Sequence, residues 1–160
     1  MSIADFGAGR TGHIVFPASM LVGERGIVYA VDILRDVLGS LQKHAQMERL
    51  LNIHPVWSDV EQVGKTAIPS KTLDVVFIVN LLSQCNDIES VLQEAARLLK
   101  DKGRIVVVDW EKTTIAIAPP AQKLVDFAAI EQYAPSHGLF VQDSFLIGPY
   151  HRGLVLYAHR

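Results

Sequence analysis

The stretch Ala4-Asp5-Phe6-Gly7-Ala8-Gly9-Arg10-Thr11-Gly12 decides how the chain folds. A short apolar run, Ile3–Phe6, meets glycines in the spacing Gly-x-Gly-x-x-Gly, and a helical segment follows. Glycines let the backbone turn tightly and approach a ligand closely, and a helix start offers unpaired amides. Alone, this motif also fits a bare strand-to-helix turn, so the rest of the chain must supply its context.

Working outward, apolar runs rich in β-branched residues recur at Ile27–Asp32, Pro55–Ser58, Val75–Asn80, Arg104–Asp109, Phe140–Ile147 and Leu154–His159. Continuous apolar runs mark strands buried on both faces, as in a parallel sheet covered by helices. Helical periodicity lies between them. One set is Leu34, Val37, Leu38, Leu41, Ala45 and Leu51; another is Ile88, Val91, Leu92, Ala95, Leu98 and Leu99. The second helix has Asn86 or Asp87 as its cap, Lys100 and Lys102 near its negative end, and Gly103 to close it. A third runs through Leu124, Phe127, Ala128, Ile130 and Glu131 toward Gly138, with Pro135 breaking its last turn. Strand–helix alternation implies right-handed crossovers and a Rossmann-like open α/β sheet, mostly parallel. Only Gly148–Gly153 separates the last two strands, too short for a helical crossover, so they form an antiparallel C-terminal edge hairpin. Pro17, just past the glycine loop, is expected to kink or shorten the first helix.

The chain has 160 residues, enough for one domain over 1–160 with a core that needs no staple. Hydrophobic residues make up 49% and charged residues 20%, which is globular composition. Cys85 is the only cysteine, so no internal disulfide or Cys-rich zinc site is available. Fifteen Lys plus Arg against seventeen Asp plus Glu leave no basic field for nucleic acid and no polybasic membrane anchor. No apolar run reaches the roughly 18 residues of a membrane span, and no secretory signal is visible, so a cytoplasmic location is expected. His44, His54, His137 and His159 form no ligand-spaced cluster, and no metal is expected.

Two acids give the glycine loop its context. Asp32 ends the second strand, where a carboxylate can accept from both hydroxyls of a ribose. Asp59 follows the third strand and can accept from an exocyclic amine. Three consecutive strand ends then face one crevice, where open α/β sheets bind ligands.

These residues resemble class I S-adenosylmethionine-dependent methyltransferases, in the group that includes quinone-biosynthesis C-methyltransferases. The matching pieces are Ala4–Gly9, Val28–Asp32, Trp57–Asp59, Leu73–Leu82, Glu94–Lys100 and Gly103–Val108. The resemblance covers nearly the whole chain and implies a seven-stranded methyltransferase sheet. It implies that Gly7, Ala8 and Gly9 pass beneath the methionine and ribose of S-adenosylmethionine, and that Asp5 orients the ammonium group. Asp32 would hold the ribose and Ile33 would lie on the adenine. Asp59 and the Val60 amide would read the adenine edge, and Asn80 with Leu81 would lie at the methionine end. Only four residues precede Asp5, so the lid helices usual before the first strand are expected to be missing. The exposed apolar surface this leaves near the first helices suggests a homodimer.

Methyl transfer from a sulfonium relies mainly on positioning, and a base is needed only when the acceptor loses a proton. Candidates on the acceptor side are Asp109 and His151, with Tyr150 beside the latter and His13 after the glycine loop. Cys85 lacks a preceding proline and reads as an inert buried thiol. The expected activity is methyl transfer to a small molecule. Three other readings remain: a cofactor-binding or assembly protein without turnover, a fibrillarin-like RNA ribose methyltransferase, and a nicotinamide dehydrogenase.

Overall fold

A computed structural model describes residues 1–112 and 116–159. Seven strands form one sheet: β1 (Ser2–Phe6), β2 (Ile27–Asp32), β3 (Ile53–Trp57), β4 (Leu73–Val79), β5 (Leu99–Trp110), β6 (Leu139–Ile147) and β7 (His151–Ala158). Their order is β3-β2-β1-β4-β5-β7-β6. The first five are parallel, and β7 runs antiparallel between β5 and β6. The chain reverses direction of travel across the sheet between β3 and β4, on either side of β1. That switch point places the β1 and β4 ends around one crevice.

Two helical layers cover the sheet unequally. Helices α1 (Val15–Val22) and α2 (Arg35–Met47) pack over β1, β2 and β3, burying Ile3, Val28, Ala30, Val37, Leu38 and Leu41. Helices α3 (Ile88–Leu98) and α4 (Phe127–Tyr133) cover the other face, burying Phe6, Val76, Ile78, Leu92, Ile105, Val107 and Leu154. Among the described residues, no helix is long and apolar enough to cross a membrane.

Several elements differ from expectation. β3 starts at Ile53, two residues early, and carries Pro55 inside it. It is an edge strand, so the proline's missing N–H breaks no ladder bond that the sheet requires. Pro17 removes no bond from the α1 ladder. It is the third helical residue, where the amide has no intrahelical acceptor anyway, and Ala18 donates normally to Ile14. Asp87 does cap α3, accepting from the Ser90 amide at 3.0 Å. The helix ends at Leu98, however, and the chain passes straight into β5. Leu99 pairs with Leu73 and is fully buried, so strand formation overrides continued helix, and Gly103 closes no helix. Leu51 lies beyond α2 and is 86% exposed. Leu124 precedes α4, which ends in a 3-10 turn over Ala134–His137 and then Gly138 at φ 71°. His151 belongs to β7 rather than to the hairpin turn.

Candidate cofactor and acceptor site

The crevice at the carboxyl ends of β1, β2 and β4 has a volume of about 490 Å3. That lies within the roughly 300–1,000 Å3 usual for small-ligand pockets. Its floor is the glycine loop. The Gly7 and Ala8 amides both donate to the Val31 carbonyl, at 2.9 and 3.1 Å, which ties the loop to β2. Gly7 has φ 73°, and a Cβ there would stand 2.9 Å from the Leu81 side chain. A side chain at this position would therefore be strained and would push into the crevice wall. Gly12 plays a different part: a Cβ there would lie 2.7 Å from Phe16 and 2.8 Å from Leu41, so its absence lets the first two helices close on the loop.

Asp32 is 9% exposed and braces this floor. One carboxylate oxygen accepts from the Gly9 amide at 3.1 Å and the other from the Leu34 amide at 2.9 Å. Each oxygen keeps a lone pair for a ligand hydroxyl. Ile33 is 54% exposed beside it, an apolar surface facing the crevice. Asp59 accepts from the Glu61 amide and from Gln62 Nε2, both at 3.0 Å, which shapes the turn presenting Asp59 and Val60 to the opposite wall. Asn80 and Leu81 close the end below β4. The Asn80 carbonyl, one expected contact for the methionine end, already accepts from Gln84 Nε2 at 2.6 Å.

Asp5 lies under the floor and is 3% exposed. Among the described residues none donates a hydrogen bond to its carboxyl. Burial, and secondarily the Asp32 carboxylate, push it up to about 7. A raised acid favours the protonated fold, so stability without ligand should fall as pH rises from about 4 to about 7. A cationic ligand near Asp5 reverses the preference and drives the proton off. Calorimetry in buffers of different ionisation enthalpy should thus show proton release on S-adenosylmethionine binding near pH 6, with affinity increasing toward pH 8. Affinity that is flat with pH, with no proton exchange, would separate Asp5 from the ligand.

Arg10, which lines the crevice, and Trp57, which supports its rim, carried no separate expectation. Arg10 pairs with Asp36 at 2.5 Å and stands at the mouth. Trp57 Nε1 donates to the Ile33 carbonyl at 2.8 Å, and the Arg35 guanidinium sits 4.2 Å from its ring centre. This half-exposed tryptophan props the strand end that presents Ile33. Its place two residues before Asp59 was the available signal. Cys85 also lines the crevice; burial, then Glu61, Asp109 and Asp59, push its thiol up to about 12, so it is no nucleophile.

On the acceptor side the two candidates part company. Asp109 is fully buried, accepting from the Ser83 amide at 3.3 Å and from the Trp110 amide at 2.8 Å. It supports the 3-10 turn Leu82–Gln84 and does not open on the crevice. His151 is only partly covered. Its Nε2 lies 3.0 Å from Asn80 Oδ1, and its ring packs 4.2 Å from that of Trp110. Tyr150 is 6.4 Å from Trp110, and its carbonyl accepts from the Glu111 and Lys112 amides, which fastens the hairpin tip to the end of β5. The structure shows no contact of His13 with these groups.

A methyltransferase domain family matches residues 4–107. The chain belongs to this family. The ubiquinone/menaquinone biosynthesis C-methyltransferase UbiE of Hahella chejuensis is 31% identical over 148 residues, covering 89% of this chain and 55% of that protein. Human arsenite methyltransferase is 29% identical over 113 residues, 67% of this chain and 30% of that one. The chain thus spans about half the length of the UbiE relatives it matches, 41% to 55%. An S-adenosylmethionine-dependent methyltransferase from Aquifex aeolicus superimposes with a TM-score of 0.85 at 22% identity, over 98% of this chain and 81% of that one. The likeness extends to the antiparallel β6–β7 pair beyond the matched family segment. S-adenosylmethionine is the cofactor that membership implies, and the crevice suits it. It offers the Asp32 carboxylate with free lone pairs, a floor open above Gly9 and apolar walls from Ile33, Val60 and Leu81, while the Asp5 carboxyl lies buried beneath the floor.

Proposed function

We propose that this methyltransferase domain binds S-adenosylmethionine in the crevice and transfers a methyl group to a small-molecule acceptor. The observation that carries the proposal is the Asp32 carboxylate, held by the Gly9 and Leu34 amides at the convergence of three strand ends. In this reading Asp32 binds the ribose hydroxyls. Ile33 and Val60 sandwich the adenine, and Asp59 with the Val60 amide reads its edge. Gly7, Ala8 and Gly9 let the ligand lie flat on the backbone, while Asp5 balances the ammonium charge. Asn80 and Leu81 bound the reacting end. The cofactor, when bound, supplies an activated methyl group; the chain's residues orient it and keep water from it.

The acceptor approaches past Asn80, His151 and Trp110. Of the two acceptor-side candidates His151 is the one available to a substrate, while Asp109 acts from within by shaping the turn at Leu82. The absence of a basic field favours a small acceptor over RNA. Met20 and Leu21, 66% and 88% exposed on α1, support a homodimer through the first helices. The single cysteine, Cys85, fits a reducing compartment and so supports a cytoplasmic protein.

The test is calorimetry with S-adenosylmethionine and S-adenosylhomocysteine, followed by a panel of phenols, quinols, thiols and arsenite with labelled methyl donor. Binding with label in an acceptor is the expected result. Binding with no transfer to any acceptor would leave a cofactor-binding protein, and no binding would remove the proposal altogether.

A further inference from the structure

Asn80 and His151 are 71 positions apart in sequence, yet their side chains meet at 3.0 Å where β4 ends and β7 begins. The contact is asymmetric. Asn80 presents Oδ1, which only accepts, so the imidazole must donate from Nε2. Its ring is held on the second side by Trp110, and β7 places His151 directly opposite Trp110 in the sheet register. Asn80 itself is fixed. It sits at φ 52°, its amide donates to Val108 and its carbonyl accepts from Gln84.

We infer that His151 is the proton-accepting group for the acceptor and that Asn80 is its positioning residue, holding the imidazole as the Nε2–H tautomer so that Nδ1 is the basic atom. The inference rests on the methyl-transfer reading above. For an acceptor whose attacking atom bears a hydrogen, that atom's electron pair forms the new bond to the methyl carbon. The carbon–sulfur pair returns to sulfur, which becomes a neutral thioether. The displaced proton passes to Nδ1, and the positive charge moves from sulfonium to imidazolium. The imidazolium is stabilised where it forms, by the Asn80 side-chain Oδ1 at Nε2 and by the Trp110 ring 4.2 Å away. The neighbouring charges leave this role open to His151. Arg152 and Glu111 form an ion pair at 2.9 Å, a Coulombic contact rather than an aligned hydrogen bond. Asp109 is occupied by two backbone amides, and the Tyr150 ring centre is 6.4 Å from that of Trp110. The Arg152 guanidinium also lies 5.8 Å from the Phe127 ring of α4, an uncharged neighbour.

The same asparagine lines the cofactor crevice, so a single side chain ties the donor pocket to the acceptor base. Long-range 1H–15N spectra of the histidine rings test this directly, with His151 assigned by His151→Gln. The native protein should show His151 as the Nε2–H tautomer, with a slowly exchanging Nε2 proton. That proton should be lost in Asn80→Gly, a change the backbone accepts because φ is positive. In Asn80→Asp the ring's titration should move to higher pH by about one unit, since a carboxylate favours the imidazolium. A group that merely packs would not follow the charge at position 80. With an acceptor from the panel above, His151→Gln should lower kcat by about 100-fold or more at saturating cofactor and remove the acid limb of its pH profile. An Nδ1–H tautomer in the native protein, or a titration insensitive to Asn80→Asp, overturns the inference; so does native kcat in His151→Gln. Calorimetric cofactor binding separates these outcomes from failure of the methyl-transfer reading, because a protein that binds no S-adenosylmethionine fails there first.

Discussion

Replacing Asp32 with alanine should weaken S-adenosylmethionine binding by about 2–4 kcal/mol, roughly 30- to 700-fold, from the loss of two charge-assisted hydrogen bonds to the ribose. The effect has two parts. One is direct: no other carboxylate in the crevice stands at the end of β2. The other acts through the floor. Without Asp32 the Gly9 and Leu34 amides lose their acceptor, and the Gly7-Ala8-Gly9 turn is tied to β2 only through the Val31 carbonyl. Asp32→Asn separates the two. Its amide oxygen can keep one backbone bond, so the loop stays closer to native while the charge is lost, and affinity should fall between the native and alanine values. Calorimetry with S-adenosylhomocysteine should give the same order, since the ribose is common to both ligands. Native affinity in the alanine variant would exclude Asp32 from the site.

The largest stability effect should come from Glu94, which touches no ligand. Its carboxylate is fully buried on α3 and accepts four hydrogen bonds. The Gly64 and Thr66 amides donate at 2.7 and 3.0 Å, and Arg97 donates through Nε and one terminal nitrogen, both at 2.7 Å. Burial pushes its carboxyl up, but the bonds from Arg97, Gly64 and Thr66 outweigh that and bring it down to about 2. Removing one member of such a buried pair strands the others, so Glu94→Ala should cost about 3–5 kcal/mol in denaturant unfolding. The sign with pH follows from the lowered value. The stabilisation is complete above about pH 4.5 and is lost as pH falls toward 2, worth about 3 kcal/mol in all. Glu94→Gln should lack this acid-dependent part. The bonds hold down the irregular crossing from β3 to β4, and Thr66 in turn meets Ser58 Oγ at 3.1 Å, next to Asp59. The alanine variant should therefore also loosen the adenine wall. Equal unfolding midpoints for native and alanine proteins would show the network to be dispensable.

The contrast between Asp32 and Glu94 shows which parts of the molecule could be read from its sequence. Asp32 is legible because it follows an apolar run and precedes a helix, a local pattern with a direct chemical meaning. The parallel strands are legible for the same reason: burial on both faces leaves unbroken apolar runs such as Val75–Val79. Glu94 falls within a helical run of ordinary polarity, and although Arg97 lies at helical spacing, its two backbone donors come from a loop 28 and 30 positions away. No spacing announces that kind of contact. The His151–Asn80 pair is hidden similarly, since it depends on β7 inserting between β5 and β6. Two of the differences in the helices also have local causes. Leu99 leaves helix for strand because Leu73 is its neighbour, and Pro17 is harmless because the helix starts just before it.

The two rims of the sheet are protected to different degrees. On one, Pro55 sits within β3 and offers no N–H to an incoming strand. On the other, the bulge between Val141 and Asp143 interrupts β6, but Ser144–Ile147 continues beyond it with Phe145, Leu146 and Ile147 all 40% exposed or more. Lateral recruitment of another chain is thus possible from one side alone. The proline on the far rim therefore guards that margin against strand addition, a protection the β6 margin lacks beyond its bulge.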